Sequence, residues 1–147
     1  MINHSIIGHK KIIIAYISGH SMAPLIKNGD RVYVIETKKY DLGDIILFEN
    51  NNKLICHRII KIKDDYYFCK GDNWNNIDII NKKEIHGKVF MISSLGKKIE
   101  LSQLEINKEK ISKYSLMLYK LSLIEKLDMN KIRNTEIYKK MIDLIKV

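Results

Sequence analysis

Proline is almost missing from this chain of 147 residues: it occurs once, at Pro24, and glycine occurs only seven times. Where so few turn formers gather, a fixed reversal of the chain is being demanded. Cysteine is nearly as scarce, with Cys56 and Cys69 and no Cys-x-x-Cys pair. That excludes a disulfide-stapled mini-domain and zinc-ribbon spacing; two buried thiols in a cytosolic setting is the expectation. No apolar run approaches the ~20 residues of a membrane-spanning helix. The segment "IIIAYI", preceded by His9, Lys10 and Lys11, is strand-length and too short for a signal-peptide core. Runs of like charge are absent too. The net charge of +9 is spread along the chain, with 10 basic and 6 acidic side chains between residues 102 and 147. A nucleic-acid-binding β-domain would need basic side chains clustered and interleaved with aromatics on one face. Tyr66, Tyr67, Phe68 and Trp74 are present, but the lysines are scattered, so no nucleic-acid partner is expected.

What is present divides near Leu101. Before it, short apolar and β-branched runs ("KIIIAYIS", "RVYVIE", "DIILFE", "KLICHRIIKI", "YYFCK" and "KVFMIS") alternate with Gly, Asn or Asp turn signals. Many short strands punctuated in this way predict a barrel or folded sheet. "FENNNKLICH" reads as a hairpin with its asparagines at the tip. From Leu101 on there is neither Gly nor Pro. Apolar residues then fall at helical spacing: Ile111, Tyr114, Leu118 and Leu121, then Ile137, Met141 and Leu144. Two amphipathic helices are expected, broken near Leu127, with Asp128 or Asn130 as the cap of the second. The expected fold is mainly β with a C-terminal α-helical appendage, α+β taken together. Its expected division is a β-rich domain over 1–100 and a helical extension over 101–147. The extension is expected to pack as a cap through Leu116, Met117, Leu118, Leu121, Leu123 and Ile124; a peripheral membrane or partner contact is the competing use of a basic amphipathic helix.

The one gathering of turn formers is "ISGHSMAPLIKNGDRVYV", Ile17 to Val34. Gly19 permits close approach of backbone to a ligand, and Pro24 fixes the chain that follows, so Ser21 between them is held in place. A held serine is a candidate nucleophile, and a serine needs a base to take its proton. His20, beside Ser21, reads as facing solvent or substrate; His4, His9 and His86 show no ligand spacing, so no metal and no cofactor are expected.

This box resembles the nucleophile box of the signal peptidase and LexA-type serine proteases: Gly-x-Ser-Met-x-Pro, then Gly-Asp and an apolar strand. Gly19, Ser21, Met22, Pro24, Gly29, Asp30, Val32 and Val34 fit it. "YDLGDIILFE" is similar to a second family box. "ICHRIIKI" is similar to a third, with His57 where bacterial members carry a lysine base, as in the endoplasmic-reticulum and archaeal signal peptidases. "FCKGDNWNNID" is similar to a fourth, matching Asp72 and Asp78. The resemblance covers residues 12 to 92. It implies a signal-peptidase-like folded sheet, a serine endopeptidase without a membrane anchor, and a peptide or protein precursor as substrate, bound extended along a sheet edge. It implies Ser21 as nucleophile, His57 as base, Asp78 as the carboxylate orienting His57, and Asp72 as the residue holding the site loop together. On sequence alone the two aspartates can be exchanged. The backbone N–H of Ser21 would serve the oxyanion, with Ser18 or the backbone near Gly19 as a second donor; Met22 and Pro24 complete the expected substrate-binding set. Lys70, just before the Gly-Asp turn, is the serious rival base, while Lys61 and Lys63 read as solvated. The expected location is cytoplasmic. The competing functional reading is a LexA-like module that cuts itself or only dimerises; "IIGHKK" upstream of Ser21 is a poor scissile segment for it.

Overall fold

The computed structural model describes residues 2–7 and 10–146, with side chains from residue 11 onward. The expectations that fall on the side chains of His4 and His9 and on the middle of the "IIGHKK" segment, residues 8 and 9, therefore lie outside the described residues. Among the described residues the first hundred form nine strands: β1 (Ile2–Ile7), β2 (Lys10–Tyr16), β3 (Arg31–Ile35), β4 (Ile45–Asn50), β5 (Lys53–Lys63), β6 (Tyr66–Lys70), β7 (Ile77–Asn81), β8 (Ile85–Ser94) and β9 (Lys97–Glu100). All pair antiparallel in the order β1-β2-β3-β8-β4-β5-β6-β7, with β9 added to β8. Six of these strands were legible as runs. β1, β7 and β9 were not, because they are short and weakly patterned.

Local chemistry explains the reversals. The β4–β5 hairpin turns at Asn51 and Asn52, with φ of 50° and 61°. Asparagine tolerates the left-handed region and is the natural residue of such two-residue turns. In β3, Val32 and Val34 are buried while Arg31 and Tyr33 face outward, the period-2 pattern of a half-covered strand. β5 is longer, and its central stretch, Cys56 to Ile60, is buried without alternation. It is covered on both faces, which is why His57 and Arg58 on opposite faces are both buried.

The C-terminal part forms α1 (Lys108–Glu125), α2 (Met129–Arg133) and α3 (Glu136–Ile145). There are thus three helices where the periodicity indicated two. Lys126 ends α1 in the left-handed conformation, and Asp128 caps α2 by accepting from the Lys131 N–H. These helices share the main core with the sheet. Ile111, Leu118, Ile132, Met141 and Ile145 pack in one cluster with Met22, Leu25, Ile26, Val32, Val34 and Ile92.

The buried stripe of α1 follows the expected spacing at Ile111 and Leu118, but the set expected to pack as a cap does not hold. Of the six residues expected to pack, only Leu118 is buried; Met117, Leu123 and Ile124 are exposed. Ser112, Ser115 and Ser122 take the buried places. Ser112 donates to the Ile59 carbonyl, Ser115 accepts from Lys70, and Ser122 accepts from Asn75 of the loop after β6, a device invisible to hydrophobic periodicity. A second, smaller cluster holds Tyr40, Ile46, Phe48, Ile59, Tyr67, Cys69 and Ile80. Between α1 and the strands β5 to β7 an open groove of about 700 Å³ remains. No helix among the described residues is long and apolar enough to cross a membrane.

Candidate active site

Ser21 opens the turn that follows β2. Gly19 precedes it at φ +92°, a conformation L side chains rarely adopt, and its N–H donates to Asn28 Oδ1 at 2.9 Å. The turn is tightened by bonds from the Ala23 N–H to the His20 carbonyl and from the Ile26 N–H to the Met22 carbonyl. Met22 is driven inward, only 2% exposed, and pins the turn to the core. The loop after β6 closes from the other side, where the Asn73 N–H donates to the Ser21 carbonyl at 2.8 Å. Gly71 makes that approach feasible, since a Cβ there would lie 2.5 Å from the Ser21 carbonyl oxygen.

His57 sits on β5 opposite Ile46 of β4, with its ring against the edge of Phe48. Asp78 sits on β7 opposite Cys69 of β6, and Cys69 in turn lies opposite Ile59 of β5. Alternation along β5 puts His57 and Ile59 on one face, so the register carries Asp78 across two strands to the imidazole. His57 Nδ1 lies 2.7 Å from Asp78 Oδ2, and His57 Nε2 lies 3.2 Å from Ser21 Oγ. Hydroxyl, imidazole and carboxylate are therefore joined in one line. The line is sheltered but reachable: the His57 side chain is 8% exposed and that of Asp78 19%.

Asp72 lies elsewhere. It is fully buried, and both its oxygens accept from Arg58, Oδ1 from Nε and Oδ2 from Nη2, each at 2.8 Å. Arg58 also donates from Nη1 to the Gly43 carbonyl at 2.9 Å. The ambiguity between the two aspartates is removed: Asp78 contacts His57, and Asp72 ties the site loop to β5 through Arg58. Asp72 as the orienter of His57, the exchange that the sequence left open, is thereby corrected, since its oxygens are both engaged away from the imidazole. The rival base Lys70 is also buried, and its Nζ donates to the Gly71 carbonyl and to Ser115 Oγ, not to Ser21. Burial, with Arg58 as a lesser contribution and Asp72 opposing, lowers its pKa to about 8. Lys61 and Lys63 are exposed.

Ser21 and His57 open into a cleft of about 230 Å³, with Ser18 and Met22 in its wall and Tyr16, Leu54 and Trp74 on its rim. Two members of the expected substrate-binding set fall outside that use. The Gly19 N–H is occupied by Asn28 and is not a spare donor. Pro24 faces a separate depression with Leu25, Lys27 and Ser94. The Ser21 N–H, by contrast, makes no hydrogen bond among the described residues. Cys56 also lines the cleft, but complete burial pushes its thiol up to about 12, which leaves it inert as a nucleophile. Among the described residues no three His, Cys, Asp or Glu side chains converge as metal ligands would.

Sequence reasoning missed the residues that hold the loop of residues 71–75. Asn73 Nδ2 donates to the His20 carbonyl, and Asn73 Oδ1 accepts from Arg133 Nε and Tyr138 Oη. Asn75 donates to Ser122 of α1. Nothing in the spacing of the helices signalled these partners, because each is a lone polar side chain on a different helix.

Residues 1–90 match the family model described as Peptidase S24-like, and the chain belongs to that family. The family comprises serine peptidases and LexA-like self-cleaving modules, some of whose members are not catalytic. No curated protein matches the chain.

Proposed function

We propose that the chain is a serine endopeptidase of signal-peptidase-like type with a histidine base, cutting a peptide or protein precursor. The observation that carries this reading is the line from Ser21 Oγ through His57 to Asp78. In it, neutral His57 takes the Ser21 proton through Nε2 as Oγ attacks the scissile carbonyl, and then gives that proton to the leaving amine. Asp78 on Nδ1 holds the tautomer with Nε2 free and stabilises the imidazolium formed on the way. The Ser21 N–H points a donor at the developing oxyanion, and Ser18 at the cleft wall is the second donor proposed. Hydrolysis of the acyl-enzyme repeats the sequence with water as nucleophile.

The cleft supports an extended substrate. It runs between the end of β2 at Tyr16 and Ile17 and the start of β5 at Leu54 and Ile55. On the β5 flank, Leu54 and Ile55 precede the stretch paired with β6 and offer backbone for strand-like pairing. The test is incubation of the intact chain with a mixed-sequence peptide library, read by mass spectrometry, beside Ser21→Ala. Internal cuts that disappear in the variant are expected. Equal cutting by both proteins, or none by either, rejects the reading. The intact mass of the chain followed in the same samples separates this from the self-cleaving alternative, which would shorten wild type and leave Ser21→Ala whole.

A further inference from the structure

The C-terminal helices lie beyond the residues matched to the family, yet they reach the nucleophile. Three ties converge on the loop between β6 and β7. At one end Lys70 Nζ donates to Ser115 of α1. At the other Asn75 Nδ2 donates to Ser122 of the same helix. In the middle Asn73 Oδ1 accepts from Arg133 Nε of α2 at 2.9 Å and from Tyr138 Oη of α3 at 3.3 Å. Asn73 passes this restraint on, since its Nδ2 donates to the His20 carbonyl at 3.1 Å and its N–H donates to the Ser21 carbonyl at 2.8 Å.

The His20 carbonyl and the Ser21 N–H belong to one peptide unit. That unit is planar, and in the trans form its oxygen and its hydrogen point in opposite directions. A group that fixes the carbonyl therefore aims the N–H. The His20 oxygen is held by two donors, Asn73 Nδ2 and the Ala23 N–H. The N–H on its far side is the one with no acceptor among the described residues, which is the condition an oxyanion donor needs. A donor that is aimed before the reaction stabilises the transition state without reorganising during it.

We infer that Asn73 is a positioning residue that aims the Ser21 N–H at the oxyanion. Arg133 and Tyr138 hold Asn73 in that role, so the helical extension is part of the catalytic apparatus. This inference rests on the serine-endopeptidase reading of the site. Its consequence is specific: an aimed donor acts on the transition state more than on bound substrate, so its loss lowers kcat with little change in KM.

The discriminating variant is Asn73→Asp. It keeps an oxygen for Arg133 and Tyr138 and replaces the N–H donor to the His20 carbonyl with a carboxylate oxygen that cannot donate. Asn73→Asp and Asn73→Ala should each lower kcat by about tenfold to a hundredfold with KM within about twofold. Arg133→Ala should lower kcat in the same manner but less, and Arg133→Lys should recover most of the loss. Lys139→Ala, on the exposed side of α3, serves as control and should match wild type. Independently of turnover, the Ser21 amide resonance in nitrogen–proton spectra and the emission of Trp74, the neighbour of Asn73, should move in Arg133→Ala and stay in Lys139→Ala. Asn73→Asp with wild-type kcat, or Arg133→Ala with unmoved Ser21 and Trp74 signals, overturns the inference. A wild-type chain that cuts nothing would reject the endopeptidase reading instead, and the spectra alone would then decide whether Asn73 and Arg133 set the Ser21 peptide.

Discussion

Two pairs of side chains stand one residue apart on β5 and differ in almost everything but chemistry. His57 with Asp78 and Arg58 with Asp72 are each a nitrogen base held by a carboxylate. Strand alternation sends them to opposite faces of the sheet. The Arg58–Asp72 pair is closed, with its side chains 2% and 0% exposed and every carboxylate oxygen engaged. The His57–Asp78 pair keeps one nitrogen, Nε2, turned to Ser21 and to a cleft. The difference teaches that a base held by a carboxylate can serve a third group only through what it leaves free. Arginine offers only fixed donors and stays protonated, so it suits the closed pair. Histidine has a second nitrogen that can accept a proton near neutrality, so it suits the open one.

The sharpest way to break the comparison is at the open pair. Ser21→Ala or His57→Ala should reduce peptide cleavage by about 10⁴-fold or more, and Asp78→Asn by about 10³- to 10⁴-fold, because it favours the wrong tautomer. Thermal unfolding of all three should stay close to wild type. A large loss of stability in Asp78→Asn would mean that the two pairs are not different in kind.

At the closed pair the expected signs reverse. Asp72→Asn leaves a buried guanidinium without its carboxylate and should cost about 3–5 kcal/mol in denaturant unfolding. Replacing both partners together, as Arg58→Met with Asp72→Leu, removes the unpaired charge and should recover much of that loss. If the double variant is as unstable as Asp72→Asn, losing the Arg58 bond to the Gly43 carbonyl costs as much as leaving the guanidinium unpaired.

Lys70 sharpens the comparison further, being a buried cation opposite Arg58 with no carboxylate in direct contact. Its pKa falls from 10.5 to about 8, chiefly by burial. Between those values the unfolded chain holds the proton that the folded chain has released. Stability of wild type measured against Lys70→Met should therefore be lowest and constant below about pH 8, and should rise by about 3 kcal/mol up to pH 10.5. A difference independent of pH would show that Lys70 is charged and well solvated in the fold.

The smallest effect lies farthest from either pair. Asp128→Ala removes the cap that accepts from the Lys131 N–H, and should cost about 1 kcal/mol without changing cleavage of a short peptide. A drop in turnover larger than the drop in stability would extend the influence of α2 on the site.

Much of the β-region was legible in the sequence, because Val32 and Val34, or the Asn51–Asn52 turn, obey local rules that need no partner. The break between α1 and α2 was legible for the same reason, since Asp128 states its role within three residues. The packing of α1 was legible only in part. Ile111 and Leu118 are buried as their spacing indicated, but the same helix buries Ser112, Ser115 and Ser122 while exposing Met117, Leu123 and Ile124, which periodicity does not anticipate. Its serines are understood only when Ile59, Lys70 and Asn75 are seen beneath them.

The site divides in the same way. By itself the sequence determined that Ser21 sits in a tight, glycine-led turn, that His57 precedes Arg58 on a strand, and that one aspartate sits in a Gly-Asp turn with a second six positions on. Those are statements about neighbours in the chain, and bonded geometry enforces them. Only the tertiary structure decided which aspartate meets which base, because that choice depends on strand register across β5, β6 and β7. It also decided that Lys70 turns to Ser115 and that Arg133 and Tyr138 reach Asn73. Those contacts join residues 45 to 65 positions apart, and only packing brings such residues together.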